Sequence, residues 1–322
     1  MQTIVSDLKK VLPGLKITDV WCGWTKMIKK PDNFADFREK LVEKKILEVR
    51  RQGKNILIDL SGGQTLLIHQ KMTGHLLYGK YRIKTQNAKR KTQNNRSKSK
   101  NEKNLKWVAA EAGPLRDDPY NRFVHLVFEL SNGRHLALSD LRKFAKVLIW
   151  PTPELNELDD LRKLGPDPLD KSFSFPEFKK IFNGKKGKMR AGEAFFLGGA
   201  KAWQIKKFLM EQKNIAGIGN IYSDEILWEA GIHPLKNIQE IKEADLRKIF
   251  NAIKKVLKKA IKAKGDSISD YRRPSGEKGG YQNIQNAYHM TGKKCGKNDG
   301  GVIQRIKIGG RSAHFCTVHQ KL

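Results

Sequence analysis

The sequence predicts an α+β protein of two domains, with a β-sandwich and flanking helices in its first half and helices in its second half. In 56–60, Ile56, Ile58 and Leu60 alternate with Leu57 and Asp59, and 123–130 is another short run with the composition of a strand. Turn residues at 61–63 and 131–133 lie between such runs, as in β-hairpins. Helical spacing of apolar residues occupies most of 201–263 instead. A chain of 322 residues has room for both domains.

The first half begins with a helix and continues with strands. Residues 3–12 have the apolar spacing of an amphipathic helix, and Pro13 with Gly14 ends it. Extended segments follow at 15–22 and 46–60. Many short strands with only one or two helices favour a β-sandwich.

Residues 80–106 interrupt this domain. Lysine and asparagine dominate the segment, and almost none of its residues is apolar. Such a segment cannot bury a core, so we expect a disordered basic insertion. It either adds nonspecific affinity for phosphate or is a passive solvated loop.

The charge of the chain favours a polyanionic partner. Lysine and arginine number 64 against 33 aspartates and glutamates, which gives a formal net charge of +31. Nucleic acid is a better partner than a membrane surface, because no stretch is long and apolar enough to span a bilayer. A lysine-rich proteome is the alternative explanation of the charge. Three cysteines and no secretory signal pattern predict a reducing compartment, the cytoplasm.

A glycine-containing loop opens the most distinctive stretch of the sequence, residues 215–234. Gly217 and Gly219 lead into Asn220, and a helical pattern follows as far as Ala230. Free N–H groups at a helix start attract phosphate, and glycine lets the backbone approach a ligand closely. An ordinary loop between two helices is the alternative interpretation.

This stretch closely resembles the helix–two-turn–helix signature of the formamidopyrimidine-DNA glycosylase family, bacterial base-excision enzymes that also include endonuclease-VIII-like proteins. The resemblance covers nearly the whole chain. It implies a catalytic sandwich domain at 1–155 and a helix–two-turn–helix domain at 164–264. Residues 265–322 would then form a loop over the everted base and a zinc-finger-like β-hairpin. Residues 164–169 are similar to the family's LGPxPL hinge, and 184–200 look like an insertion.

In the first domain, the resemblance implies roles in DNA binding for four side chains. Lys54, in RRQGKNILIDL, is similar to the lysine that contacts the phosphate beside the lesion and helps proton transfer in β-elimination. Met72 resembles the methionine that fills the void left by the flipped base. Arg142 and Phe144 resemble the arginine that faces the orphaned base and the phenylalanine that wedges the stack. Leu141 stands where the family usually has proline.

In the second domain, the resemblance implies contacts with phosphate. Lys201 and Lys206 match the family's phosphate-binding lysines, for which a solvated helix face is the alternative. Asn220 matches the asparagine that donates to the phosphates flanking the lesion. Asp224 and Glu225 are expected to stabilise the start of their helix rather than to take part in chemistry.

The last residues resemble the family's zinc hairpin, in which two CxxC pairs bind the metal. The corresponding positions are Cys295, Asn298, Cys316 and His319. Zinc accepts histidine, but asparagine is a poor ligand, so Asp299 or His289 would have to complete the site. Zinc binding and a zinc-free hairpin both stay open. Arg311, in a retained GGR turn, is similar to the finger arginine that binds phosphates around the lesion and assists δ-elimination.

The family's nucleophile is the nitrogen of an N-terminal proline, and the glutamate beside it acts as acid and base. Family members begin Pro-Glu-Leu-Pro-Glu-Val-Glu-Thr, whereas this sequence begins at Met1, and Gln2-Thr3 corresponds to the Glu-Thr pair. Two interpretations follow from this difference. One is a coding start placed too late, which we favour, and the other is a truncated form that binds damage without excising it.

The resemblance therefore implies a bifunctional DNA glycosylase and abasic-site lyase that removes oxidised purines, formamidopyrimidine and 8-oxoguanine, from damaged double-stranded DNA. Lys54 and Arg311 are the expected catalytic residues, and a monomer at the bacterial nucleoid is the expected form. A non-catalytic protein that binds damaged DNA or abasic sites is the alternative from a different class. A generic basic nucleic-acid-binding protein is a third hypothesis, against which the matches at Arg142, Phe144 and Asn220 argue.

Overall fold

The computed structural model describes residues 1–84, 106–188 and 203–322. Most of the predicted insertions at 80–106 and 184–200 lies outside the described residues, and so does Lys201. The chain divides into two compact units. The first consists of Met1–Leu158 and Lys264–Gly280, and the second of Asp159–Ala263 and Tyr281–Leu322.

Strands dominate the first unit. Its helices are α1 (Gln2–Leu8), α2 (Phe34–Glu39) and α3 (Pro114–Asp117). Its strands are β1 (Ile17–Cys22), β2 (Ile28–Lys30), β3 (Ile46–Gln52), β4 (Asn55–Leu60), β5 (Gln64–His69), β6 (Gly74–Gly79), β7 (Tyr81–Lys84), β8 (Lys106–Ala109), β9 (Val124–Leu130), β10 (His135–Asp140) and β11 (Lys146–Pro151).

Two sheets form the predicted β-sandwich. One has the strand order β1-β9-β10-β6, and the other has the order β2-β11-β5-β4-β3. Side chains from both sheets meet in one core, to which Leu126 and Leu138 belong from the first sheet and Ile58 and Val147 from the second. The alternation of apolar residues in the sequence predicts these strands because every second side chain enters this core.

The two ends of the predicted disordered insertion are ordered. Strands β7 and β8 pair antiparallel, with Tyr81 opposite Ala109. Tyr81 and Trp107 are buried together with Leu77 and Val127. The prediction of disorder is therefore wrong for residues 81–84 and 106, because aromatic side chains at the ends supply apolar surface to bury.

Helices dominate the second unit. They are α4 (Asp159–Arg162), α5 (Phe175–Lys188), α6 (Ile205–Met210), α7 (Asn220–Ala230) and α8 (Glu243–Lys262), and a hairpin of β12 (Ile303–Ile308) and β13 (Arg311–Cys316) follows them. The core of this unit is aromatic: the ring of Phe178 lies 6.3 Å from that of Phe208 and 6.0 Å from that of Phe250. Within the described ranges, no helix has the apolar length needed to cross a membrane.

Glycines mark both ends of α7, as the sequence predicts. Gly219 is the residue before its first turn, and Gly231 follows its last turn in the left-handed conformation, with a φ of 69°. The N–H of Gly231 donates to the carbonyl of Trp228 at 3.2 Å, which satisfies a carbonyl at the helix end. Glycine is favoured at this position because it carries no Cβ that would clash at positive φ.

Residues 264–280 pack on the first unit, although the sequence-based boundaries place them in the last domain. Two arginines hold them: Arg272 pairs with Asp118 at 2.6 Å, and Arg273 pairs with Asp7 at 3.0 Å. Arg272 is almost fully buried. The predicted loop over the everted base therefore has its first part fixed by ion pairs, which the glycine and serine content alone does not indicate.

Candidate nucleic-acid interface and metal centre

The structure brings Met72, Arg142 and Phe144 together at one edge of the sandwich. Strands β6 and β10 are antiparallel neighbours with Gly74 opposite Asp140, so the loop before β6 lies beside the loop after β10. The Arg142 guanidinium lies 3.5 Å from the sulphur of Met72 and 4.8 Å from the centroid of the Phe144 ring. We call these three side chains the void-filling cluster, after the role that the resemblance implies for them.

The void-filling cluster is exposed although two of its members are large and apolar. The exposed fraction is 65% for Met72 and 52% for Phe144, and neighbouring Leu141 is also exposed. Such a group of exposed apolar side chains marks a binding surface rather than part of a core. Apolar wedges of this kind can enter a base step, and the five N–H donors of an arginine can pair with the base left without a partner. Sequence reasoning singled out Leu141 only as a departure from the family motif and missed that it extends this surface.

Lys54 lies at the turn between β3 and β4, and an arginine fixes that turn to the start of α1. Gly53 has a φ of 57°, which favours glycine at this position. Arg51 donates from Nε to the side-chain oxygen of Gln2 at 2.9 Å and from Nη1 to the carbonyl of Gly53 at 2.9 Å. Sequence reasoning missed Arg51, because the RRQGK string does not show which of its arginines turns towards α1.

The α-amino group of Met1 lies in the same neighbourhood. Burial, together with the positive charges of Arg51 and Lys54, lowers its pKa from 8.0 to about 5. Amines and guanidinium groups thus concentrate at the start of α1.

In the second unit, the start of α7 offers a site for phosphate. The loop before it is held by Gln212, which donates to the carbonyl of Ile218 and accepts from the N–H of Gly217. Asn220 is the first residue of α7, and its buried side-chain oxygen has no hydrogen-bond partner among the residues that the structure describes. The oxygen can only accept a hydrogen bond, so an anion here would be bound by the side-chain NH2 of Asn220 and by the free backbone N–H groups of the helix start.

The prediction that Lys206 contacts phosphate is wrong, because its side chain is fully buried. Its ammonium lies 2.5 Å from Oδ1 of Asp224 and 2.5 Å from the carbonyl of Ser312. Oδ2 of Asp224 accepts from the backbone N–H of His314 at 3.0 Å and also meets the ring of His314. Burial lowers the pKa of Lys206, and the charge of Asp224 opposes that effect. The pair joins α6 and α7 to β13.

The expectation that Asp224 and Glu225 stabilise the start of their helix is also wrong, because neither lies in the first turn of α7. Both carboxylates are buried. Glu225 accepts the backbone N–H groups of three successive residues, Asn286, Ala287 and Tyr288. These acidic residues therefore hold the segment that precedes the hairpin and the hairpin itself.

Arg311 lies at the exposed tip of that hairpin. It is the first residue of β13 and pairs with Ile308 across Gly309 and Gly310, both of which have positive φ. The contact of Lys206 with the carbonyl of the next residue, Ser312, fixes the backbone beside Arg311. An exposed guanidinium on a fixed turn is well placed to contact a phosphate.

Four side chains at the base of the hairpin form a group that could hold a metal ion. They are Cys295, Asp299, Cys316 and His319, whose candidate ligand atoms all lie within 4.8 Å of one another. Two thiolates, one imidazole and one carboxylate are a donor set that tetrahedral zinc accepts. Nε2 of His319 faces the carbonyl of Trp228 at 3.1 Å, which leaves Nδ1 to face the group.

The fourth member of this group is Asp299, one of the two completions left open by the sequence. Asn298 has a φ of 54° and occupies the turn between Cys295 and Asp299. The carboxylate of Asp299 instead lies 3.5 Å from the sulphur of Cys316 and 2.5 Å from Nδ1 of His319. His289 does not belong to the group.

Comparison with known proteins gives the same family for both units. The formamidopyrimidine-DNA glycosylase N-terminal domain matches residues 1–147, and the formamidopyrimidine-DNA glycosylase H2TH domain matches residues 164–272. A formamidopyrimidine-DNA glycosylase of Pelotomaculum thermopropionicum is 33% identical, over 100% of this chain and 98% of its own length. One from Desulforamulus reducens is 32% identical, over 100% of this chain and 97% of its own length.

Solved structures of a Lactococcus lactis relative are similar along the whole chain. The Fpg protein in complex with a DNA that contains an abasic site has a TM-score of 0.75 at 27% identity, and 100% of this chain and 98% of that chain are covered. The wild-type protein in complex with a DNA that contains N7-benzyl-Fapy-dG gives a TM-score of 0.75 at 27% identity, with the same coverage. The chain therefore belongs to the formamidopyrimidine-DNA glycosylase family.

Proposed function

We propose that the chain is a base-excision repair DNA glycosylase with abasic-site lyase activity, which removes oxidised purines such as formamidopyrimidine and 8-oxoguanine from duplex DNA. The observation that carries this proposal is the void-filling cluster of Met72, Arg142 and Phe144. The cluster exposes apolar side chains beside a guanidinium, as a surface that enters an emptied base stack requires. A relative that is named as a formamidopyrimidine-DNA glycosylase supports the same conclusion, and so does a second relative that was solved in complex with a DNA that contains an abasic site.

Recognition begins with extrusion of the damaged base. Flipping a base costs a few kcal/mol of stacking and pairing. Met72 and Phe144 offset this cost by entering the emptied stack, and Arg142 donates hydrogen bonds to the base that has lost its partner. Asn220 and Arg311 bind the phosphates that flank the lesion, and we assign Lys201 to the same backbone. A positive net charge of 31 draws the duplex to the protein.

The chemistry follows at C1′ of the extruded nucleotide. An amine attacks C1′, the glycosidic bond breaks, and the electron pair of that bond leaves with the base, which takes up a proton. The C1′–O4′ bond then breaks as the nitrogen lone pair forms the C=N bond of an imine, and the proton that the nitrogen loses passes to O4′, so that the sugar ring opens. Lys54 contacts the adjacent phosphate and helps to transfer the proton of C2′. Loss of that proton expels the 3′ phosphate. Arg311 stabilises the second phosphate that leaves in δ-elimination.

Zinc is the metal that we assign to Cys295, Asp299, Cys316 and His319. All four positions of a tetrahedral site are taken by protein side chains, so the metal would be structural. Bound there, it would join the two ends of the hairpin and so support Arg311. We assign the protein itself to the nucleoid, where its substrate lies.

Removing the void-filling side chains should weaken binding to damaged DNA selectively. Arg142→Ala and Phe144→Ala should each lower affinity for a duplex with a tetrahydrofuran abasic analogue by about tenfold, and affinity for undamaged duplex hardly at all. The reason is that these side chains act only after extrusion, whereas phosphate contacts act on both duplexes. Fluorescence anisotropy at fixed salt measures both dissociation constants.

The matched control is Lys143→Ala. Lys143 lies between Arg142 and Phe144 in the sequence, and its ammonium stacks on Trp24 instead. Its effect should be similar for both duplexes. If Arg142→Ala and Phe144→Ala also weaken both duplexes equally, the void-filling role and the observation behind the proposed function are lost.

Purified protein should contain one zinc per chain. Cys316→Ser and His319→Ala should each remove it, because a structural site needs all its strong ligands, and Asp299→Ala should lower zinc affinity by about 10–100-fold or more. Elemental analysis and titration with a chelator measure these effects. Cys22→Ser, in β1 of the first unit, and Asn298→Ala are controls that should keep the metal. Folded, DNA-binding protein with no zinc would contradict the assignment.

A further inference from the structure

A buried pair of side chains joins the two loops that carry the void-filling cluster. Thr73 precedes β6, and Asp140 ends β10. The Thr73 hydroxyl donates to Oδ1 of Asp140. The exposed fraction is 4% for Thr73 and 0% for Asp140, so the contact lies beneath the loops and not on their surface. We call it the loop clasp.

Both members of the loop clasp also hold the backbone of Arg142. Its N–H faces Oγ1 of Thr73 at 3.1 Å and Oδ1 of Asp140 at 3.2 Å. Oδ2 of Asp140 accepts the N–H of Ala145 at 2.7 Å, on the far side of Phe144. Each carboxylate oxygen thus fixes one end of the segment that presents Arg142 and Phe144.

The loops need such support because each contains a residue in an uncommon backbone conformation. Lys71, before Met72, has a φ of 56°, and Lys143, before Phe144, has a φ of 59°. Non-glycine residues adopt this left-handed region rarely and at some cost in energy. Loss of the clasp should therefore let these backbone conformations relax and change the directions of the Met72 and Phe144 side chains.

We propose that Thr73 and Asp140 are positioning residues for damage recognition. Their clasp holds the void-filling cluster in the arrangement that enters the duplex, so that binding does not have to order the two loops. Neither residue is exposed enough to touch DNA. The inference rests on the proposed function, because it assumes that the cluster acts in an emptied base stack.

The test removes one hydroxyl and compares three DNA probes. Thr73→Val has the same shape but cannot donate to Asp140. It should bind a duplex with tetrahydrofuran opposite cytosine about tenfold more weakly than the wild type does, the size expected for loss of a hydrogen bond to a charged group. Affinity should not change for undamaged duplex. It should also not change for a tetrahydrofuran strand whose complement lacks the opposite nucleotide, because no void then has to be filled.

Thr65→Val is a matched control in the same unit. Thr65 is fully buried on β5, and its hydroxyl donates to Oδ1 of Asp59 at 2.7 Å. Thr65→Val therefore loses an equivalent hydroxyl–carboxylate contact far from these loops. The variant should lose stability and keep the discrimination between the three probes. Thr73→Ser retains the hydroxyl and should discriminate as the wild type does. It shows whether the effect of the valine variant comes from loss of the hydroxyl or from misfolding.

A second measurement asks whether the clasp acts through the cluster. In a background with Met72, Arg142 and Phe144 all replaced by alanine, Thr73→Val should cause no further loss of affinity for tetrahydrofuran opposite cytosine. A further tenfold loss there, or a Thr73→Val variant that discriminates like the wild type, overturns the clasp. Wild-type protein that binds tetrahydrofuran and undamaged duplexes equally overturns the proposed function itself, which separates the two failures.

Discussion

Replacing Lys206 with methionine should lower the free energy of unfolding of the second unit by about 3–5 kcal/mol, the range for removing one partner of a buried ion pair. Methionine keeps the apolar stem but leaves the Asp224 carboxylate in the interior without the ammonium now 2.5 Å away. The carbonyl of Ser312 also loses its charged donor. Chemical denaturation followed by circular dichroism measures the change.

The matched control is Lys163→Met, which removes an exposed ion pair with Asp159 in the same unit. That change should be far smaller, because water solvates the charge left behind. The double variant Lys206→Met with Asp224→Leu should regain part of the lost stability, since no unpaired charge remains. If Lys206→Met costs no more than Lys163→Met, the ammonium is not buried, and the phosphate-binding role of Lys206 returns.

The sequence predicts those features of the fold that depend on local pattern. Alternation and turn residues predict the strands of the sandwich, and glycines predict both ends of α7. The loops that carry Met72 and Phe144 are also predictable, but only through resemblance to the family. Composition and spacing do not predict that two apolar side chains at separate points of the chain, those of Met72 and Phe144, are exposed.

What the sequence does not predict depends on contacts between distant residues. A lysine on a helix is exposed in most proteins, and Lys206 is buried only because Asp224 and Ser312, far along the chain, supply its partners. Likewise, the spacing of CxxC points to Asn298 as a ligand, whereas the turn at that residue brings Asp299 to the sulphur of Cys316 instead.

Replacing Lys54 with methionine should lower the rate of strand cleavage at an abasic site by about 10²–10⁴-fold, the usual contribution of a positioned acid or base. Lys54 sits on a turn that Arg51 ties to the start of α1, which fixes the backbone from which its side chain extends. Methionine keeps the length of the side chain and removes only its charge and donors. Single-turnover cleavage of an abasic duplex measures the rate.

Lys10→Met is the control for the loss of one positive charge. Lys10 is an exposed lysine just after α1. Its replacement should leave the single-turnover rate unchanged and weaken DNA binding slightly at most. Equal rates for Lys54→Met and the wild type would remove Lys54 from the catalytic residues.

Borohydride trapping on a duplex with 8-oxoguanine opposite cytosine tests the central claim, that the protein excises damaged bases through an amine, most directly. Reduction converts the imine into a stable bond, so one covalent protein–DNA adduct should form with the same time course as strand cleavage. Peptide mapping of the adduct should identify the amine that attacks C1′. Tight binding of this duplex with neither adduct nor cleavage would contradict the account and identify a protein that binds damage without excising it.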